Sequence, residues 1–129
     1  MRALITGLTG MVGSHLADYL LAHTTWDVYG MLRWRSSLDN IEHLVPRINA
    51  RDRLHLVYAD LRDDASLRHA VREAEPDYVF HLAAQSFPRP SFDSPIDTLD
   101  TNTQGTLRLL EALREYTPEA RIQVCSSSE

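Results

Sequence analysis

The sequence predicts a doubly wound α/β fold built on a parallel sheet of five strands in the order 3-2-1-4-5. Three observations carry this. Strand-like apolar runs alternate with helical patterns along the whole chain, the pattern of strand–helix–strand units with right-handed crossovers. The strand-like runs, such as "RALIT" and "DYVFHLAA", are largely continuous rather than alternating, which suits strands covered on both faces. Three glycines, Gly7, Gly10 and Gly13, stand where the first strand hands over to the first helix.

The elements follow in order. "RALIT" is the first strand, and residues 12–23 form a helix with Val12, Leu16 and Leu20 at helical spacing. "DVYGMLR" is the second strand, and "SLDNIEHL" is a short helix with Ser37 as its cap. "LHLVYAD" is the third strand, and "DASLRHAVREA" is helical with Leu67 and Val71 on one face. "DYVFHLAA" is the fourth strand. A long helix over 95–115 turns Leu107, Leu110 and Leu113 to the core, and "RIQVCSS" is the fifth strand. The polar stretch 46–53 and the proline-containing stretch 88–95 read as loops inside the domain.

Composition narrows the function. The 129 residues suffice for one domain with a core and are too few for two ordinary ones. An apolar fraction of 43% with 24% charged residues is that of a soluble globular protein. A net charge of −5 gives no electrostatic footprint for nucleic acid. No apolar run approaches the ~20 residues a membrane span needs, and Met1 leads straight into a strand with no signal-peptide pattern. The single cysteine, Cys125, cannot form an internal disulfide. It sits in an apolar run and reads as a small core residue. A reducing, cytoplasmic setting is expected.

The glycines explain themselves through a bound anion. A turn that grips a pyrophosphate must bend tightly, let backbone approach the phosphate and let the helix pack close to the sheet. Gly7, Gly10 and Gly13 can meet these needs, with Thr9, Met11 and Val12 in the same turn. The helix start then offers free N–H groups and the positive end of its dipole. At the end of the second strand, where an NAD site carries a carboxylate, the sequence has "MLRWRSS". Arg33 and Arg35, with Ser36, suit a ribose 2′-phosphate. Trp34 either lies against the adenine or covers the sheet edge, and the sequence leaves both open. "YADL" places Asp60 and Leu61 where a carboxylate and a backbone N–H can meet the adenine ring; a helix cap is an equal reading of Asp60. "HLAAQS" places Leu82, Ala83, Ala84, Gln85 and Ser86 at the carboxyl edge, where the small alanines let backbone approach a cofactor and Ser86 can face a substrate.

Four segments now coincide: "TGLTGMVG", "ADL", "HLAAQS" and "NTQGTLRLLEALR" followed by "SSSE". Together they resemble the extended short-chain dehydrogenases/reductases that modify nucleotide sugars, across the whole chain. Through "LRWRSSLDNIEHL" and "AAQSF" the resemblance is closest to the GDP-mannose 4,6-dehydratases. It implies a Rossmann-type fold, an NADP cofactor, a GDP-hexose substrate and a homo-oligomer, dimer or tetramer. It also implies a reaction in three stages: oxidation at C4 of the hexose, loss of water across C5 and C6, and return of hydride to C6. Carried over by position, the hydroxyl that bonds the C4 oxygen is Ser127, and the carboxylate that moves the C5 proton is Glu129. Read locally, "SSSE" is instead a capping run.

Some positions depart from the family pattern. Met11 and Val12 replace Gln-Asp in the phosphate turn, "PRP" interrupts the loop after Ser86, and Asp97 stands where a cofactor-contacting tyrosine is common. A related 4-keto-sugar reductase or 4-epimerase therefore stays open, as does a dinucleotide-binding module without chemistry. The family's Tyr-x-x-x-Lys pair is absent, since Tyr78 and Tyr116 have no lysine four residues on. The family expects that pair some twenty residues beyond Glu129. The chain is thus expected to be the N-terminal, NADP-binding portion of a longer enzyme, inactive by itself and ending before the Tyr-x-x-x-Lys pair and the sugar-binding part.

Overall fold

The computed structural model describes residues 1–126. The strands are β1 (Arg2–Thr6), β2 (Asp27–Leu32), β3 (Leu54–Tyr58), β4 (Tyr78–His81) and β5 (Arg121–Val124). They form one sheet in the order β3-β2-β1-β4-β5, and every pairing is parallel. The strand order and the parallel sheet are those expected from the sequence.

Side chains alternate across the pleat and so divide the core into two layers. Ala3 and Ile5 of β1 join Val28 and Leu54 under α1 (Met11–His23) and a 3₁₀ turn (Asp39–Leu44). Leu4 joins Met31, Val57 and Val79 on the other face, under α3 (Asp64–Ala74) and α6 (Gly105–Tyr116). Leu4, Ile5, Val28, Leu54 and Leu67 are all fully buried. Each such side chain contributes ~1.5–3 kcal/mol relative to exposure, so these two layers dominate the fold's stability.

Several local expectations are corrected. The stretch 46–53 holds a helix, α2 (Val45–Ala50), and 88–95 holds α4 (Pro88–Asp93) followed by α5 (Pro95–Leu99). The prolines sit in the first turns of these helices, where a missing N–H costs nothing and the fixed φ favours the helix. Ser37 does not cap by position; its hydroxyl accepts the Asp39 N–H while Leu38 precedes the 3₁₀ turn. The long helix is divided by a π turn over Asp100–Gln104. Beyond it α6 buries Gly105, Leu109, Ala112 and Leu113, whereas Leu107 and Leu110 are exposed. Val12 is likewise exposed on α1, and Gly13, Ser14, Ala17, Leu20 and Leu21 form the buried face. Cys125 is exposed rather than in the core; it follows β5 at the edge of the described sheet, its N–H donating to the His81 carbonyl at 3.3 Å.

Candidate functional site

The carboxyl ends of the strands open onto two adjoining cavities. The inner one, about 350 Å³, is lined by Gly7, Thr9 and Gly10 after β1, and by Arg33 and Ser36 after β2. Asp60, Leu61 and Arg62 after β3 and the run Leu82–Phe87 after β4 complete it, with Asp97 of α5 and Thr101 of the π turn. The outer cavity, about 390 Å³, shares Arg33, Ser36, Asp60 and Arg62, and adds Trp34, Arg35, Tyr58, Asp63 and Ser66.

The first wall is the turn between β1 and α1. Gly7 has φ +75, a left-handed conformation that costs glycine nothing. Its N–H donates to the Met31 carbonyl at 3.1 Å, and its own carbonyl accepts the Gly10 N–H at 3.0 Å. A Cβ at Gly13 would lie 2.3 Å from the Gly7 oxygen, and a Cβ at Gly7 would lie 3.0 Å from the Ala83 nitrogen. Helix start, turn and β4 loop therefore meet backbone to backbone. Gly10 precedes α1 without a side-chain cap, and the first turn of α1 holds no acidic residue. Its N-terminal N–H groups and the dipole's positive end are thus left for an anion. Asn40 steadies the turn from outside, donating from Nδ2 to the Thr9 carbonyl at 2.8 Å.

The second wall rests on a buried polar chain. Thr6 Oγ1, fully buried, accepts the N–H groups of Leu82 at 3.1 Å and Ala83 at 3.0 Å. Its hydroxyl proton is left to donate to His81 Nδ1, 2.8 Å away. His81 therefore carries its own proton on Nε2, which donates to Thr106 Oγ1 at 2.9 Å. Thr106 in turn donates to the Asn102 carbonyl at 2.7 Å. Burial lowers the His81 pKa, which agrees with the neutral ring this proton count demands. Asn102 closes the chain on the loop itself: its Oδ1 accepts the Gln85 N–H at 2.8 Å, and its Nδ2 donates to the Gln85 carbonyl at 2.9 Å. Residues 82–85 are held at both ends by side chains from β1 and the π turn.

Positive charge gathers at the far end. Arg33 lines both cavities and Arg35 the outer one. Arg35 adopts φ +68 in the tight turn where the Ser36 N–H returns to the Arg33 carbonyl at 3.1 Å. Trp34 is exposed and packs edge-on against Tyr58, ring centroids 5.2 Å apart, as a rim of the outer cavity. Asp60 is gripped by Arg62, whose Nε and Nη2 lie 3.1 and 2.9 Å from its two oxygens; the Arg62 N–H adds a third bond at 2.9 Å. These hydrogen bonds to Arg62 hold the Asp60 carboxyl below its ordinary pKa, against the opposing effect of burial.

Of the residues singled out from the sequence, Gly7, Thr9, Gly10, Arg33, Arg35, Ser36, Asp60, Leu61, Leu82, Ala83, Ala84, Gln85 and Ser86 line these cavities. Met11 and Val12 are exposed at the start of α1, and Gly13 is buried against the turn. Ser127 and Glu129 lie outside the described residues. Thr6, His81, Asn102, Arg62 and the role of Asp97 were not legible. The "NTQGT" segment carries the family likeness in the sequence, and in the structure its half-buried Asn102 is the side chain that holds the loop.

A five-stranded parallel sheet in this order, with a glycine turn packed on the first helix at its carboxyl edge, defines a Rossmann-type domain of the short-chain dehydrogenase/reductase kind. Among the described residues no helix is long and apolar enough to cross a membrane, and no cluster of His, Cys, Asp and Glu could hold a metal ion. The sequence profile described as GDP-mannose 4,6 dehydratase matches residues 4–129, and the chain belongs to that family. A GDP-mannose 4,6-dehydratase of Vibrio cholerae is 45% identical over 118 residues, covering 88% of this chain and 31% of the relative. The Homo sapiens GDP-mannose 4,6 dehydratase is 40% identical over 116 residues, 87% of this chain and 31% of its own. The chain thus spans about a third of the length of the curated relatives it matches. Among solved structures, a Thermus thermophilus UDP-glucose 4-epimerase in complex with NAD superposes with a TM-score of 0.75 at 32% identity, over 90% of this chain and 34% of that one. A Bacillus anthracis dTDP-glucose 4,6-dehydratase in complex with NAD gives 0.73 at 25% identity, over 95% and 36%.

Proposed function

We propose that residues 1–129 form the NADP-binding domain of a GDP-mannose 4,6-dehydratase that yields the GDP-4-keto-6-deoxy sugar. The observation that carries the reading is the family match over residues 4–129. The site's chemistry supports a dinucleotide: a turn whose open approach a Cβ would fill, an uncapped helix start and arginines at the ribose end. In this reading Gly7, Gly10 and the first turn of α1 hold the pyrophosphate, and Arg33 and Arg35 hold the 2′-phosphate. Leu82–Ser86 flank the nicotinamide end, positioned by Thr6 and Asn102. When bound, NADP supplies a reversible hydride acceptor for C4 and C6 of the hexose. Ser127 hydrogen-bonds the C4 oxygen, and Glu129 takes the C5 proton and then protonates the departing hydroxyl. The reading includes a cytoplasmic setting and a homo-oligomer.

A 4-epimerase is the competing reading, favoured by the likeness to UDP-glucose 4-epimerases. Glu129→Gln in the protein at its natural length separates the two. Elimination should fall by ~10²–10⁴-fold, the worth of a positioned proton-transfer group, while oxidation at C4 persists. The measurement is exchange of the C5 hydrogen with deuterated water beside product formation. Unchanged rates of both would rule out Glu129 as the proton-transfer group, and a 4-epimer formed without C5 exchange would favour the epimerase.

A further inference from the structure

The two cavities meet at Asp60 and Arg62, which line both. Arg62 spends one side of its guanidinium on Asp60, through Nε and Nη2. Its Nη1 reaches across to Asp97 Oδ1 at 3.0 Å, tying the end of β3 to α5 over the inner cavity. Three of its five N–H donors are used, so two remain on the same fork. The outer cavity it borders holds two further arginines, Arg33 and Arg35, against the carboxylates of Asp60 and Asp63. Asp97 borders only the inner cavity, and its link to Arg62 is a single hydrogen bond at a half-exposed site. Such a bond is weak. A phosphate dianion in the outer cavity can take the two N–H donors left on the Arg62 fork, and with more charge and more acceptor oxygens than a carboxylate it draws the guanidinium away from Asp97. Asp60 would keep Arg62 anchored while Nη1 changes partner.

We propose that Arg62 is a third recognition arginine for the cofactor's 2′-phosphate, and that Asp97 competes with the phosphate for it. The inference rests on the NADP reading above and goes beyond it, because it makes discrimination at the 2′-phosphate depend on a carboxylate that borders only the inner cavity. A bound 2′-phosphate releases Asp97, and with it the tie between β3 and α5.

Calorimetric titration of the protein at its natural length with 2′-AMP and with 5′-AMP tests this. Arg62→Gln should weaken 2′-AMP binding on the order of tenfold, the lower end for a charge-assisted contact at a partly exposed site, and weaken 5′-AMP, which shares only the adenine contact at Asp60, distinctly less. Asp97→Asn should tighten 2′-AMP severalfold, and the same change in the Arg62→Gln background should do nothing further. Arg62→Lys keeps the charge without the fork, and is expected to fall between wild type and Arg62→Gln. It also serves if Arg62→Gln does not fold. Equal losses for both nucleotides, or an Asp97→Asn variant that binds 2′-AMP like wild type, would overturn the proposal while leaving the NADP reading intact. A wild-type protein that does not prefer 2′-AMP over 5′-AMP would remove both.

Discussion

Gly13→Ala is the most direct perturbation of the turn. The added Cβ would sit 2.3 Å from the Gly7 carbonyl oxygen and 3.0 Å from the Gly7 carbon and Leu8 Cα, all backbone atoms. No rotamer relieves a backbone clash, so the start of α1 must retreat by roughly 1 Å to reach van der Waals contact. Overpacking of this kind costs ~1–3 kcal/mol, and alanine's better helix propensity returns about 0.8–1 kcal/mol. The net expectation is about 0–2 kcal/mol of lost stability, up to several degrees in Tm. The clashing oxygen also accepts the Gly10 N–H, so the cavity-lining backbone moves too, and dinucleotide affinity should fall by about tenfold or more. Gly10→Ala is the control. Its Cβ meets only the Gly7 oxygen, at 3.2 Å, and Gly10 lines the inner cavity. It should melt near wild type while binding the dinucleotide worse. Thermal melting and calorimetric titration measure both. A Gly13→Ala variant with unchanged Tm and affinity would refute the idea that the turn sets the helix against the sheet.

Two other outcomes follow from the site. Replacing Arg33 and Arg35 together by alanine should weaken NADP binding far more than NAD binding, each lost contact being worth on the order of 1.5–3 kcal/mol before solvent screening; equal losses measured by titration would rule out 2′-phosphate recognition. His81 should impose a pH dependence on stability. Its folded pKa lies below the ordinary 6.5 because burial disfavours the charged ring, so the unfolded chain binds the proton first. The stabilisation is complete above about pH 6.5 and is lost as pH falls toward the lower folded value. Denaturant melts at pH 7.5 and 5.5 should show a smaller pH effect in His81→Asn than in wild type, and identical slopes would count against the neutral ring.

The sheet was legible because its signals are local. Apolar runs such as "RALIT" mark strands covered on both faces, and the glycines mark the one place where backbone must approach backbone. The face of α6 was not legible from its leucines. "GTLRLLEALREY" carries two stripes, Leu107 with Leu110 and Leu109 with Leu113, and only packing on α3 and Leu61 chooses between them. The small residues Gly105 and Ala112 were the available clue, since a Cβ at Gly105 would lie 2.7 Å from the Leu61 Cβ. The π turn before it, where the Gly105 N–H reaches back to the Asp100 carbonyl, shifts the helix phase in a way no periodicity count detects. Asp60 was legible as a strand-end carboxylate, but its grip by Arg62 depends on a loop conformation that brings side chains two residues apart onto one ion pair. Thr6 and His81 read as ordinary members of their strands, 75 residues apart. Only the register of β1 on β4 joins them.

That register also orders events at the ribosome. β1 lies at the centre of the sheet, pairing with β2 on one side through Arg2–Asp27 to Thr6–Met31, and with β4 on the other through Ala3–Tyr78 to Thr6–His81. β4 leaves the ribosome roughly fifty residues after β2, and at ~5–20 residues per second this is an interval of several seconds. Until then the edge of β1 that β4 will cover, Ala3 to Thr6, has no partner strand. An open edge of that kind is a template for pairing with another chain. Of the strands with two neighbours, the central one that anchors the finished fold therefore waits longest along the chain for its second, and translation between residues 32 and 81 sets how long that wait lasts.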